Sequence, residues 1–136
     1  MRKIIFILLF LLVTGCGNKG NEVLCTSKEI MDGGSMNQEI KVKFKNDEFS
    51  SAEFVMNVKI DSEYQGLVSY YVTLLKSEFS GYKDSYGVDV DVKKTSDRAE
   101  VSFKMDKSSF GKLYSDHVSK KDDVISYLKE DGYTCK

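Results

Sequence analysis

The sequence contains no proline, a single histidine and only three cysteines. It also lacks internal repeats, low-complexity tracts, glycine loops that cradle phosphate, and closely spaced His or Cys clusters that bind metals. With one histidine, any Ser-His-Asp or Cys-His catalysis would have to use His117, and the sequence places no nucleophile beside it. We therefore find no catalytic motif.

A hydrophobic run long enough to span a membrane is also missing. The longest apolar segment covers residues 4–13, about half of the roughly 20 residues that a spanning helix needs. It follows two basic residues and precedes Thr14-Gly15, which is the layout of a secretory signal. We expect residues 1–15 to be a signal peptide that is removed.

The tetrapeptide Val13-Thr14-Gly15-Cys16 ends this segment. It resembles the bacterial lipobox, in which the cysteine thiol receives a diacylglyceryl group and becomes the first residue of the mature chain. The alternative is an ordinary signal that a cysteine follows by chance. Each buried acyl methylene adds about 0.8 kcal/mol, so two or three chains on Cys16 would hold the protein in a membrane. We expect lipidation of Cys16, a flexible tether over residues 16–22 and a location on the extracytoplasmic face of the cell membrane.

The mature chain has no large excess of positive or negative charge. Removing the signal leaves 18 basic against 21 acidic residues, a net charge of −3. Nucleic acid and anionic lipid both call for a concentrated basic face, so neither is an expected partner. The remaining length suits a single extracytoplasmic domain over residues 23–136.

The two other cysteines form an even pair if lipidation consumes Cys16. Disulfides form in an oxidising compartment, whereas redox and metal-binding pairs normally have close spacing or additional histidine ligands. Cys25 and Cys135 have neither feature. We predict a disulfide between them that joins the beginning of the domain to its end.

Alternation of apolar and charged residues predicts several strands. The first covers 23–28, and a two-residue turn at Asn46-Asp47 joins the next two, 38–45 and 49–60. Strict pairing from that turn would put apolar residues opposite polar ones, so we predict a one-residue bulge near Ser50-Ser51. The bulge gives three apolar pairs: Phe44 with Phe49, Val42 with Ala52 and Ile40 with Phe54.

Apolar residues at three- and four-residue steps predict a long helix that Asp61 or Ser62 caps and Gly81 ends. Its inward stripe consists of Tyr64, Leu67, Val68, Tyr71, Leu74, Leu75 and Phe79.

Two more strands are predicted at 88–92 and 99–105. A short helix capped by Ser108 and a final helix after Ser119 follow, and Gly132 is placed to cap the latter. The fold class is α+β: an antiparallel sheet of four to five strands with the long helix and the C-terminal helix packed on one face.

Two acidic residues and the histidine are the candidates for chemistry. Asp89 and Asp91 lie on the same side of a predicted strand and would suit a hard cation, but strand alternation explains them equally well. A hydrolase or metal-dependent enzyme using Asp89, Asp91 or His117 is thus the alternative function. We expect no catalytic residue, metal or other cofactor.

Tyrosines gather around the long helix and its exit: Tyr64, Tyr70, Tyr71, Tyr82 and Tyr86. Tyrosines at a wet surface are typical of recognition sites, while a helix on a sheet also buries tyrosine rings with their hydroxyls at the edge. We treat these five residues as a candidate binding surface.

With its lipobox, Val-Leu-Cys-Thr opening, Lys-Phe-Lys-Asn-Asp hairpin and Gly-Tyr-Thr-Cys-Lys ending, the chain resembles the small bacterial lipoproteins of the YehR-like family. The resemblance spans nearly all of the mature chain. It implies a small α+β lipoprotein of uncharacterised function with no assigned activity, and the one site it carries over is Cys16.

These observations favour a membrane-anchored, non-enzymatic binding or interaction module of the cell envelope. We expect its partner to be an envelope protein, a polymer or a small ligand, bound by the exposed sheet face or the tyrosine-rich rim of the long helix.

Overall fold

The computed structural model of the chain describes residues 21–114 and 119–136. Six strands form one open antiparallel sheet in the order β4-β5-β3-β2-β1-β6. Four α-helices and one 3₁₀ helix accompany the sheet. The elements in chain order are β1 (Glu22–Met31), β2 (Gly34–Lys45), β3 (Glu48–Ile60), a 3₁₀ helix (Ser62–Leu67), α1 (Val68–Glu78), α2 (Tyr82–Tyr86), β4 (Asp91–Lys94), β5 (Arg98–Met105), α3 (Lys107–Leu113), α4 (Lys121–Glu130) and β6 (Thr134–Cys135).

The predicted mixed fold with an antiparallel sheet is confirmed, but the predicted count of four to five strands is wrong. The sixth strand, β6, has only two residues, too few for a pattern of alternation to reveal it. The first strand is also longer than predicted, because Glu22 already pairs with Lys43 and the strand continues to Met31.

The predicted disulfide is confirmed. Cys25 of β1 lies directly opposite Cys135 of β6 in the antiparallel register, and their sulfur atoms are bonded. The bridge spans 110 residues of sequence and fixes the end of the chain to its first strand.

The hairpin between β2 and β3 has the predicted geometry. Asn46 and Asp47 adopt φ values of 52° and 66°, and two consecutive left-handed residues give the turn that matches strand twist. The pairing then passes over Ser50, which is the predicted bulge. All three predicted apolar pairs are present: Phe44 with Phe49, Val42 with Ala52 and Ile40 with Phe54.

The turn between β1 and β2 needs glycine for two reasons. Gly33 has a φ of 83°, a conformation that disfavours other residues. Gly34 lies opposite Ile60, and a Cβ atom there would overlap the backbone carbonyl oxygen of Lys59. The close approach of β2 to β3 at this end therefore depends on Gly34.

One face of the sheet carries the core. Helix α1 contacts β4 and β5, whereas α3 contacts β3 and β5, and α4 contacts β3 and β6. Most residues of β2 and β3 that point to this side are buried, with Met36 and Gln38 half-buried. The opposite side presents charged residues of both signs, among them Glu39, Lys41, Lys43, Glu53 and Lys104. Among the residues that the structure describes, no helix has the length and apolar character to cross a membrane.

The long helix differs from its prediction. The segment begins as a 3₁₀ helix and becomes α-helical only at Val68, and Asp61 makes no side-chain cap hydrogen bond. Only Val68, Val72 and Leu75 of α1 are buried. Three residues of the predicted stripe are instead 44 to 48% exposed, namely Tyr64, Leu67 and Leu74.

The stripe prediction holds for Val68 and Leu75, which are buried, and for Tyr71 and Phe79, which pack partly buried against the core. It fails for the three exposed residues for a geometric reason. A single helix lying over the edge strand β4 and its neighbour β5 buries only the residues on the side that faces these two strands. The apolar side chains outside that side face a cleft or the solvent.

The remaining elements follow the predictions with shifted boundaries. The strand expected at 88–92 starts only at Asp91, because the chain leaves α2 through an irregular segment. Helix α3 is capped by Asp106 rather than Ser108: the Asp106 carboxylate accepts a hydrogen bond from Ser109 N at 2.8 Å, and Ser109 Oγ accepts one from Asp106 N at 2.9 Å. Gly132 follows α4 with a φ of 100°, as predicted for a C-terminal cap.

Candidate binding cleft

A cleft of about 500 Å³ opens on the helical side of the sheet. Helix α1 and the start of α2 form one wall, and the ends of α3 and α4 with the residue before β6 form the other. The cleft exists because the helices contact different strands and leave part of the inner face of β1, β2 and β3 between them.

The floor of the cleft is apolar. Strand alternation sends every second side chain toward the helices, and the register brings these side chains next to one another. The floor residues are Met31, Met36, Gln38, Phe54, Met56, Val58 and Phe103. Phe54 and Phe103 stack with ring centroids 4.8 Å apart. Three methionines thus share this floor, and their flexible thioether side chains suit a surface that adapts to a ligand.

The α1 wall is built by residues three or four positions apart, which share one side of a helix. They are Tyr71, Leu74, Leu75 and Glu78, and the wall continues with Phe79 after α1 and Tyr82 at the start of α2. Phe79 and Tyr82 join the floor through aromatic contacts. Their rings lie 4.6 Å apart, and the centroid of Phe103 lies 6.2 Å from Phe79 and 5.9 Å from Tyr82.

The opposite wall consists of Leu113, Tyr114, Asp131 and Tyr133. The Tyr133 hydroxyl donates a 2.6 Å hydrogen bond to Gln38 Oε1, which ties this wall to the floor. Tyr127 donates a 2.9 Å bond to the backbone oxygen of Tyr114, and Phe110 stacks on the Tyr114 ring at 4.9 Å. The bond to Gln38 holds the Tyr133 ring in place, and the contacts with Tyr127 and Phe110 hold Tyr114.

Three tyrosine hydroxyls of the cleft, those of Tyr82, Tyr114 and Tyr133, have raised pKa values and stay neutral at physiological pH. Burial, with a smaller contribution from the Asp131 charge, raises the pKa of Tyr133 to about 12. Burial also raises the pKa of Tyr114 far above its ordinary value. The pKa of Tyr82 is raised by burial and by the neighbouring Tyr86 and Glu78. In this neutral form the three hydroxyls can donate and accept hydrogen bonds.

The five tyrosines of the candidate binding surface divide among different places. Tyr71 and Tyr82 line the cleft. Tyr64 borders a smaller notch of about 220 Å³ beside the Asp32-Gly33 turn, and Tyr71 lies between the notch and the cleft. Tyr70 is 61% exposed and contacts Tyr71 edge-on, and Tyr86 packs edge-on against Tyr82.

Two of the residues considered for chemistry, Asp89 and Asp91, do not line the cleft. Asp89 and Asp91 border a separate shallow hollow of about 390 Å³, where Asp89 pairs with Lys83 at 3.3 Å and Asp91 with Lys93 at 3.5 Å. Within residues 21–114 and 119–136, no three His, Cys, Asp or Glu side chains are grouped to hold a metal ion. His117 and Cys16 lie outside the described residues.

Sequence reasoning missed most of the cleft. It did not single out the three methionines, Tyr114 or Tyr133 as a binding site. The methionines have the inward parity of their strands, which indicates burial but not an uncovered part of the sheet. Tyr133 lies two residues before Cys135, so the disulfide keeps it next to β1 and beside the cleft. That link was the one signal in the sequence that could have indicated its position.

Comparison with solved structures shows the fold. The NMR structure of the E. coli YehR protein matches with a TM-score of 0.56 and 14% identity, covering 85% of this chain and 92% of that chain. An NMR structure of a protein from Streptococcus pneumoniae TIGR4 matches with a TM-score of 0.46 and 15% identity, covering 85% of this chain and 84% of that chain. No family model matches the chain, and no curated protein is similar in sequence. The match to the YehR protein shows that this chain has a YehR-like fold.

Proposed function

We propose that this protein is a non-enzymatic binding module of the cell envelope that takes a ligand with an apolar body into the cleft. The observation that carries the proposal is the cleft itself, with its methionine and aromatic lining and its few polar groups at the walls. Small-molecule sites generally have this character: concave, mostly apolar and marked by a small number of hydrogen-bonding groups. The YehR-like fold and the lipobox support membership of the YehR-like lipoproteins as part of the same proposal.

The proposal includes a lipid anchor on Cys16 that leaves the cleft accessible. The backbone oxygen of Asn21 accepts a hydrogen bond from Phe44 N, so the tether enters the domain near the Asn46-Asp47 turn. Six residues from Cys16 to Asn21 reach at most about 20 Å. Strand β1 then runs roughly 30 Å to Met31, at about 3.3 Å per residue. The Met31 end of the cleft thus lies at the end of β1 that is farther from the anchor.

The anchor predicts incorporation of fatty acid at one residue. In cells fed a labelled fatty acid, the wild-type chain should carry label and be recovered with the membrane fraction, whereas a Cys16→Ser chain should carry none. Cys16 is the thiol that the lipobox selects, so no other residue should replace it. Label retained by Cys16→Ser, or absent from the wild type, would contradict the anchor.

The cleft predicts binding of a neutral apolar probe. Phenylnaphthylamine, which fluoresces strongly only in apolar surroundings, should bind the chain of residues 21–136 with a saturable signal. Met36→Lys should weaken this binding at least about tenfold, because it places a charge on the half-buried floor and an ammonium that enters an apolar site loses hydration.

Asn37→Lys is the matched control for this experiment. Asn37 is the next residue of the same strand and faces the opposite side of the sheet, where charged residues are common. The control should bind the probe like the wild type, and circular dichroism should show both variants folded. Equal weakening by the two substitutions, or no saturable binding by the wild type, would refute the cleft as a ligand site.

A further inference from the structure

The charges at the cleft are of one sign. Among the described residues that line it, those of charged type are Glu78, near the end of α1, and Asp131, just after α4. They belong to opposite walls, and no lysine or arginine accompanies them in the lining. A ligand in the cleft thus lies between two carboxylates, and this arrangement repels an anion and attracts a cation.

The aromatic rings between these carboxylates also favour a cation over an anion. Tyr71, Phe79, Tyr82 and Tyr114 are half-buried, so each ring remains partly accessible from the cleft. The face of an aromatic ring is negative and attracts a cation within about 6 Å of its centroid, most strongly where water is displaced. Neutral phenols at Tyr82, Tyr114 and Tyr133 add no charge of their own at physiological pH.

We propose that the ligand of the cleft is a small organic cation with an apolar body, of the alkylammonium class. The inference rests on the proposed function and adds the charge and chemical class of the ligand. Methyl or methylene groups around a quaternary nitrogen would contact the methionine and aromatic floor. Glu78 and Asp131 would balance the positive charge from the two walls.

The test separates charge from shape with three probes of the same size. Choline is compared with its neutral isostere, in which a carbon atom replaces the nitrogen, and with the carboxylate that carries the same tertiary-butyl group. Binding is followed at low ionic strength by NMR titration of the chain of residues 21–136. Choline should bind about tenfold more tightly than the neutral isostere, and the carboxylate should bind most weakly.

Variants assign the preference to the two walls. Glu78→Gln combined with Asp131→Asn should remove most of the choline preference while preserving shape and hydrogen bonding. Glu130→Gln is the matched control, because Glu130 is exposed on the same helix end as Asp131 and does not line the cleft. It should weaken choline binding much less than the double variant does, because the Glu130 carboxylate does not line the cleft.

Each other outcome contradicts a defined part of the account. Equal binding of choline and its neutral isostere, or tighter binding of the carboxylate, would overturn the cation inference and leave the proposed function intact. The same holds if choline does not bind while phenylnaphthylamine does. If neither phenylnaphthylamine nor any of the three probes binds, the proposed function falls together with the inference.

Discussion

Replacing Cys25 and Cys135 together with alanine lowers the free energy of unfolding of the domain by about 4 to 5 kcal/mol in the loop-entropy model. The bridge joins residues 110 positions apart, so its loss releases nearly the whole unfolded chain from a constraint. Cys25 is fully buried in the core, which adds a loss of packing in the folded state. Urea denaturation of the chain of residues 21–136 measures the difference.

Reduction supplies the control for the disulfide. A thiol reductant should destabilise the wild-type chain and leave the double alanine variant unchanged. The reductant should also weaken phenylnaphthylamine binding by the wild-type chain, because β6 positions the neighbouring Tyr133 at the cleft wall. If the reductant breaks the disulfide but the stability of the wild-type chain does not change, the stabilising role of the disulfide is contradicted.

Replacing Phe110 with alanine costs about 3 to 5 kcal/mol. The Phe110 side chain is only 1% exposed and is stacked between Phe49, with ring centroids 4.4 Å apart, and Tyr114, at 4.9 Å. Its removal leaves a cavity beneath α3. It also removes the support of the Tyr114 ring, which lines the cleft. Urea denaturation measures the loss of stability, and probe binding measures the loosening of the wall.

Tyr70→Ala is the matched aromatic substitution for Phe110→Ala. Tyr70 is 61% exposed, and its ring contact is with Tyr71 on the outside of α1. Its loss should cost less than about 1 kcal/mol, as is usual for surface positions. Comparable costs for the two variants would show that Phe110 is not the packing centre that its burial indicates.

Local sequence patterns were sufficient for the β2–β3 hairpin. The Asn46-Asp47 turn and the parity of the flanking apolar residues together leave one register that buries both apolar faces, and that register requires an extra residue near Ser50. The disulfide was equally accessible, because it follows from the count of cysteines and the expected compartment. For both the hairpin register and the cysteine pairing, the sequence allowed few alternative arrangements.

The cleft could not be predicted in the same way. Inward parity marks Met36 and Met56 as buried, but whether a helix covers them depends on where α1 and α4 lie across the sheet. Periodicity likewise marks Leu74 as part of an apolar stripe, although Leu74 is 44% exposed and only Val68, Val72 and Leu75 of α1 are buried. Helix placement is set by packing between distant segments, which a local pattern does not encode.

The central claim is that the cleft between α1 and the C-terminal segment is the ligand site, and NMR of isotope-labelled methionine methyl groups tests it most directly. Met31, Met36 and Met56 line the cleft, whereas Met105 is buried on β5 outside it and serves as an internal reference. Titration with phenylnaphthylamine should shift the first three methyl signals along one saturation curve and leave Met105 nearly unmoved. Saturable binding with no shift at these three methyl groups, or an equal shift at Met105, would contradict the account.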